Sequence, residues 1–305
     1  MKMKDRRLAA SAVLLGVLFL ASIVTGCEDA GEIKLVNEQS FSIADVSNIR
    51  LDYDDDDVFL LESGSADIVL KEYMDIDKAA YYARVTNDNG KLSIGEGQRP
   101  SGNRLNGYVE LYLPAGCEAD ISIHTTESTL TTRIGHTLAA LHTETTHGTL
   151  DLANITARAV SVSSPDGTVN VSNVKAETIS FDTTNAVVTA KSVYGTIQYA
   201  TTNGELVLTD AHGSGSFNAS SGGSFDLAFS EITGDIKVTA KNSTILFTAP
   251  QNAAFHFIAS SRNGSVNTDY ENVAVSDVGK ATGDVGDNPL HTVDLETQNG
   301  DIEAR

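Results

Sequence analysis

One short phrase returns from Ile121 to Arg305, as in Thr143-Glu-Thr-Thr-His-Gly148-Thr-Leu-Asp-Leu, Ser161-Val-Ser-Ser-Pro-Asp-Gly167-Thr-Val-Asn-Val and Ala200-Thr-Thr-Asn-Gly204-Glu-Leu-Val-Leu. Setting the turn residue at Ser128, Gly148, Gly167, Ala186, Gly204, Gly223, Ser243, Gly264 and Gly300 gives steps of 20, 19, 19, 18, 19, 20, 21 and 36. Seven residues before each turn stand Ile121, Leu141, Val160, Ile179, Ile197, Ser216, Ile236, Phe257 and Val293, all apolar except Ser216. Two residues after it stand Leu130, Leu150, Val169, Val188, Leu206, Phe225, Ile245, Val266 and Ile302, all apolar. Each unit therefore reads as two short strands with alternating faces on either side of a turn.

The turn has a physical rationale. Asp166, Asn185, Asn203, Asn242, Asn263 and Asn299 precede the turn residue, and Asx-Gly tolerates the positive φ of a sharp corner. Asn-Gly alone would suggest hairpins, and a hairpin array is the competing architecture. Repetition of the same inward positions every 19 or so residues favours parallel stacking, each position above its equivalent one coil earlier. Thr125, Thr145, Ser164, Thr183, Thr201, Ser220, Ser261 and Thr297, three before the turn, would form a ladder along one side. The expectation is an all-β chain, a parallel β-solenoid of about nine short rungs over residues 115–305. At about 4.8 Å per strand it would be a rod of roughly 40 Å. The step of 36 is read as a first strand from Asn272 to Val278 followed by an inserted loop over 279–290.

Upstream, residues 33–114 read as a β-rich region capping the solenoid, whose first rung would otherwise leave an open edge. Candidate strands are Phe41 to Ile43, Asn48 to Leu51, Val58 to Leu61, Asp67 to Tyr73, Tyr81 to Thr86, Lys91 to Ile94 and Tyr108 to Leu113. Asn89-Gly90 sits between Ala83, Val85 and Leu92, Ile94 with the spacing of the repeats, which suggests a degenerate opening rung. Gly95 to Gly107 is polar and reads as a loop.

Residues 1–26 read as a leader: Lys2, Lys4, Arg6 and Arg7, an apolar run from Leu8 to Val24, then Val24-Thr25-Gly26-Cys27. The site is similar to the bacterial lipobox, and that resemblance makes Cys27 the acylated residue at the mature N-terminus. Residues 27–32 then form a short tether, and two acyl chains give stable anchoring. The mature chain is expected outside the cytoplasm, held to a membrane of the cell envelope. Without the leader it carries 17 basic against 40 acidic residues, a balance that repels nucleic acid and anionic lipid. Cys117 alone cannot form an internal disulfide and is expected to be a small buried side chain or an intermolecular partner.

Thr201 to Leu208, Thr297 to Glu303, the run from Gly283 to Leu295 and the strand Val109-Glu-Leu-Tyr-Leu-Pro114 together resemble the bacterial "putative adhesin" family, a domain of unknown function. The resemblance covers nearly all of the mature chain. It implies a β-solenoid at the bacterial surface, with some relatives linked to envelope stress, and it transfers no catalytic or ligand residue.

Candidate chemistry is sparse. Asp52, Asp54, Asp55, Asp56 and Asp57 are the densest charge and could offer oxygen ligands to calcium, though without the spacing of the helix-loop-helix calcium loop; an exposed acidic turn is the simpler reading. His142 and His147 flank one turn with no third ligand evident. Neither G-x-S-x-G, H-E-x-x-H nor a Cys-His arrangement is present. Asp151, Asp182, Glu205, Asp226, Asp235 and Asp301 fall at outward positions. No cofactor is implied. The expected role is a non-catalytic surface module that binds an envelope, extracellular or host-surface ligand or takes part in envelope-stress responses. The alternative is a β-helix polysaccharide lyase or hydrolase.

Overall fold

The structure is a computed structural model that describes residues 31–100, 105–276 and 278–305. Gly31–Arg305 form one compact unit, and Cys27 with the leader lies outside the described residues. The described chain is β-structure apart from two single 3-10 turns, at Ile43–Asp45 and Ala79–Tyr81.

The strands run, in chain order, β1 (Lys34–Ser42), β2 (Asn48–Tyr53), β3 (Asp57–Ser63), β4 (Asp67–Met74), β5 (Arg84–Asp88), β6 (Lys91–Gly95) and β7 (Gly107–Pro114). The repeats follow as β8 (Asp120–Thr125), β9 (Thr129–Arg133), β10 (Thr137–Thr145), β11 (Thr149–Ser164), β12 (Thr168–Thr183), β13 (Val187–Thr201), β14 (Glu205–Ala219), β15 (Gly223–Ala240) and β16 (Ser243–Thr248). The last are β17 (Phe255–Ser261), β18 (Val266–Thr268), β19 (Val273–Ser276), β20 (Lys280–Val285), β21 (His291–Thr297) and β22 (Ile302–Ala304).

The repeats stack in parallel, as their inward positions require. Leu92, Ile49, Ile121, Leu141, Val160, Ile179, Ile197, Gly215, Ile236, Val293 and Phe257 form one register column. Val109, Val58, Leu130, Leu150, Val169, Val188, Leu206, Phe225, Ile245, Ile302 and Val266 form the other. Every residue in the columns except Gly215 is buried and apolar, so the core is a continuous rod of aliphatic and aromatic side chains. The stack has eleven levels rather than nine, because two of them come from the N-terminal region. Eleven strands at about 4.8 Å span roughly 50 Å.

Order along the axis is not order along the chain. The β2/β3 level lies between β6/β7 and β8/β9. At the other end β21/β22 lies between β15/β16 and β17/β18. Each end is then closed by antiparallel strands: β1 on β4, β4 on β7 and β5 on β6 at one end, β20 on β17 and β19 on β20 at the other. Two expectations are corrected here. Asn89-Gly90 is a true hairpin turn between β5 and β6, with positive φ at both residues (49° and 83°), not a rung turn. Residues 279–290 are not one long loop: Lys280–Val285 form β20, its alternating Ala281, Gly283 and Val285 turning towards the core beside β17, and β19, in the stretch read as the first strand of a rung, pairs antiparallel with β20 instead.

Irregular steps have local causes. In the turn before β15 one residue is added, so Ala219 rather than Ser220 pairs with Thr201 and Ala240. The same shift puts Gly215, not Ser216, in the inward column, where the Phe217 ring covers the missing side chain. The step of 18 arises where Gly195 alone opposes Ala176 and Glu177. Its φ of 138° and its contact with the Ala176 carbonyl exclude any Cβ.

The hydroxyl ladder is internal rather than a surface feature. Thr125, Thr145, Ser164, Thr183, Thr201, Ser261 and Thr297 are buried. Gly204 N–H donates to Thr201 Oγ1 at 2.7 Å, and that hydroxyl donates to the Thr184 carbonyl at 3.2 Å. Gly148 and Gly167 N–H are held in the same way by Thr145 and Ser164. Burying these backbone groups demands such partners. Thr201→Val keeps the shape and removes both bonds, and should cost about 1–3 kcal/mol. A urea midpoint unchanged from wild type would show the ladder to be dispensable.

Candidate functional site: the acidic turn and the groups around it

The turn between β2 and β3 carries Asp54, Asp55, Asp56 and Asp57, and its carboxylates do not converge. Asp52 pairs with Arg50 two residues back on the same strand, at 2.7 and 2.9 Å. Asp54 accepts from the Thr126 hydroxyl at 3.1 Å, while its own N–H donates to Glu96 at 3.0 Å. Asp57 Oδ1 accepts from the Thr129 N–H at 2.8 Å. The Thr126 and Thr129 contacts tie the turn to the β8/β9 level and the Glu96 contact ties it to the end of β6, which is the ordinary work of a polar turn in a solenoid. Asp55 remains exposed. Among the described residues no group of three His, Cys, Asp or Glu side chains is arranged to hold a metal ion.

Asp56 differs from its neighbours. It turns inward, is 7% exposed, and forms an ion pair with Arg99. Arg99 also donates to Glu72 Oε1 at 2.6 Å and to the Tyr81 carbonyl at 3.0 Å, and its guanidinium lies 5.2 Å from the centre of the Tyr53 ring. Glu72 is fully buried. It also accepts from Asn37 (2.6 Å), the Ala83 N–H (2.8 Å) and the Tyr53 hydroxyl (3.1 Å). Burial raises the Glu72 carboxyl above the ordinary range, and the bonds from Ala83, Asn37 and Tyr53 pull against it. Burial first, and then the Glu72 charge, push the Tyr53 phenol far up. Burial lowers Arg99. Beside the cluster an acidic cleft of about 480 Å³ is lined by Ile33, Asp55, Asp56, Asp57, Leu105, Asn106, Gly107 and Glu127.

Sequence reasoning missed Glu72 and Arg99. The signal for Glu72 was present, since inward positions in β4 run Ile68, Leu70, Glu72, Met74 and a carboxylate interrupts an apolar row. Arg99 had none: it lies in the polar stretch read as a loop.

The histidines are dispersed among rung-to-rung pairs. His142 and His147 are both exposed, and His147 instead faces Asp166 at 4.0 Å. His124 faces Glu144 at 3.6 Å and His256 faces Asp284 at 2.6 Å. His136 is partly buried, and burial lowers its pKa. Among the described residues, His212 is the histidine with carboxylates at both ring nitrogens, Asp210 at 3.1 Å and Glu231 at 3.4 Å, and it stacks on Tyr194 at 4.4 Å. Ser192 and Ser230 donate to Asp210 rather than to the histidine (2.8 and 2.6 Å), and the Ser230 bond leads the causes that lower the Asp210 pKa. Both hydroxyls donate to the carboxylate, so neither serine is bonded to His212 as a nucleophile to its base would be. Asp151, Asp182, Glu205, Asp226, Asp235 and Asp301 point outward as expected. Several serve as acceptors within the stack: Asp151 for Asn170, Asp235 for the Thr292 N–H, and Asp301 for Ser265.

The turn residues need glycine for a different reason from the expected one. Gly148, Gly167, Gly204, Gly264 and Gly300 do not have positive φ, nor do Asn203, Asn263 and Asn299; Gly223 does (114°). Successive turns approach so closely that a Cβ on Gly204 would lie 2.6 Å from the Ala186 carbonyl oxygen. The asparagines instead form an amide ladder, Asn203 donating to Asn185 (3.1 Å), Asn299 to Asn242 (2.6 Å) and Asn263 to Asn299 (2.7 Å). Positive φ belongs to the opposite corner, at Asn154, Asn173, Ser192 and Asp210 (57°, 52°, 53° and 56°). Cys117 is a buried free thiol, which burial pushes up in pKa.

No curated protein matches the sequence. Among solved structures the chain is similar to a "putative cell adhesion protein" from Clostridium sporogenes ATCC 15579, with 11% identity over 90% of this chain and 99% of that one and a TM-score of 0.29. A "putative adhesin" from Bacteroides fragilis NCTC 9343 aligns at 10% identity, covering 89% and 97%, with a TM-score of 0.45. One from Parabacteroides distasonis ATCC 8503 aligns at 11%, with the same coverage and a TM-score of 0.40. The Toastrack DUF4097 family model matches residues 46–305, a span that takes in every parallel level of the stack and the antiparallel strands at its far end, and the chain belongs to that family.

Proposed function

We propose that the protein is a non-catalytic, extracytoplasmic binding module, carried on the cell envelope by a lipid on Cys27 and acting as an adhesin-like or envelope-stress-related surface protein. The observation that carries this reading is where the polar side chains spend their hydrogen bonds. Many of the hydroxyls, amides and carboxylates that could do chemistry are engaged from rung to rung, as in the Thr201, Asn299 and Asp210 contacts. A rod built this way offers partners an extended polar surface with many weak contacts rather than a pocket of activated groups.

Two measurements test it. Cys27→Ala should abolish metabolic labelling with palmitate and leave the precursor uncleaved; persistent labelling would refute the anchor. Residues 31–305 should liberate no reducing or unsaturated ends from acidic or neutral polysaccharides, with or without calcium. Turnover abolished by changing one carboxylate of the acidic cleft, such as Asp55 or Glu127, would establish the polysaccharide-acting enzyme instead.

A further inference from the structure

The interleaved far end of the stack has a consequence for how copies of this chain meet. β21 is paired along both edges, to β15 on one side and β17 on the other, and β22 likewise to β16 and β18. Both walls of this slot precede the segment that fills it in the chain. The segment brings all its contacts with it: Val293, Leu295 and Ile302 are fully buried. Thr297 donates to the Ser243 carbonyl at 3.0 Å, and Asn299 bonds Asn242 on one wall and Asn263 on the other. An identical segment from a second molecule makes the same contacts, so exchange costs association entropy and whatever the hinge requires.

The hinge is Gly286–Leu290. Gly286, Asp287, Asn288 and Leu290 are exposed, and Leu290 is 86% exposed, so opening it gives up little packing. The same end of the rod holds Ile258, Val275 and Val278 at 44%, 52% and 71% exposure. Its edge strand β19, Val273–Ser276, carries no charge. The outer strands at the opposite end carry charge, β1 Lys34 and Glu38 with a bulge between Leu35 and Asn37, β5 Arg84 and Asp88, although Ile33 and Leu35 are also exposed there.

We propose that residues 291–305 are an exchangeable rung, through which two copies of the chain interlace into a dimer, each filling the other's slot between β15/β16 and β17/β18. Asn267 and Glu303 are register partners across β18 and β22, one on a wall and one on the exchanged segment, and adjacent positions of this kind are within disulfide reach. Two samples of residues 31–305, one carrying Asn267→Cys and the other Glu303→Cys, are unfolded together, refolded over a range of concentrations and oxidised. Exchange yields a disulfide-linked heterodimer whose share grows as concentration approaches the effective concentration of the tethered segment, of order millimolar for a short linker. Deleting Asn288 and Pro289 should bring the dimer in at roughly tenfold lower concentration, and four added glycines should raise the threshold. Both cysteine positions are exposed, so thermal melts of the single variants should match wild type. Absence of the interchain disulfide at every concentration, with melts intact, overturns the proposal. So does a dimer of a chain carrying both Asn267→Cys and Glu303→Cys in which every disulfide is intrachain, since that dimer would form by surface contact alone.

Discussion

A chain ended at Leu290 should lose cooperative folding of the far third of the rod, not merely its last level. In a solenoid stacked in chain order, removing the final strand pair trims one end and leaves a new end like the old. Here it empties a slot between two other levels. The three fully buried apolar side chains Val293, Leu295 and Ile302 are worth about 1.5–3 kcal/mol each. Their loss is compounded by stripping the facing walls, Ile236 and Val238 against Phe257 and Ala259. Against a total stability of about 5–15 kcal/mol for a typical domain, that removes most or all of the margin. Hydrogen exchange should report amide protection lost from β15 through β20, with the levels nearer β8 retaining theirs. A truncated protein that melts within a few degrees of the full chain, with β17 still protected, would show that the levels close up directly and that the interleaving is not needed.

The period of the inward residues made the parallel stack legible, because each coil must bury the same two columns. It also located the hydroxyl ladder and the outward carboxylates. What it could not convey was axial order. Val293 and Val58 look like any other inward residue, and nothing local to β21 or β3 distinguishes a level that sits last from one inserted between two others. The 36-residue step at the far end and the dense strands of the near end were the visible traces, and each was open to a simpler reading, a loop in one case and a cap in the other. The turn glycines were found for an incomplete reason: positive φ is a property of one residue, whereas the obstruction at Gly204 comes from a turn 18 residues earlier. The acidic turn was half legible. Its exposed members behave as solvated charge, but the role of Asp56 depends on Arg99, 43 residues away in sequence and in contact only because β2/β3 stacks on β6/β7.

Arg99→Met should destabilise the protein by about 3–5 kcal/mol at neutral pH, the usual cost of leaving a buried charge without its partner. Two carboxylates depend on this one cation, Asp56 at 7% and Glu72 at 0% exposure. The methionine keeps the apolar stem against Tyr53, so the loss isolates the charge. The pH dependence fixes the cause. Burial holds the folded-state pKa of Glu72 above its unfolded value of 4.5, so its contribution to stability is fully present below that value and is lost as pH rises through the folded pKa. Without the guanidinium the ionised form is costlier still, and the folded variant gains more from protonation than wild type does. The difference in urea midpoint between variant and wild type should therefore be greatest near pH 7 and shrink on acidification towards pH 4.5. A gap independent of pH would mean that Arg99 acts through packing alone, and a gap that widens in acid would reverse the assignment of Glu72 as the buried charge that Arg99 supports.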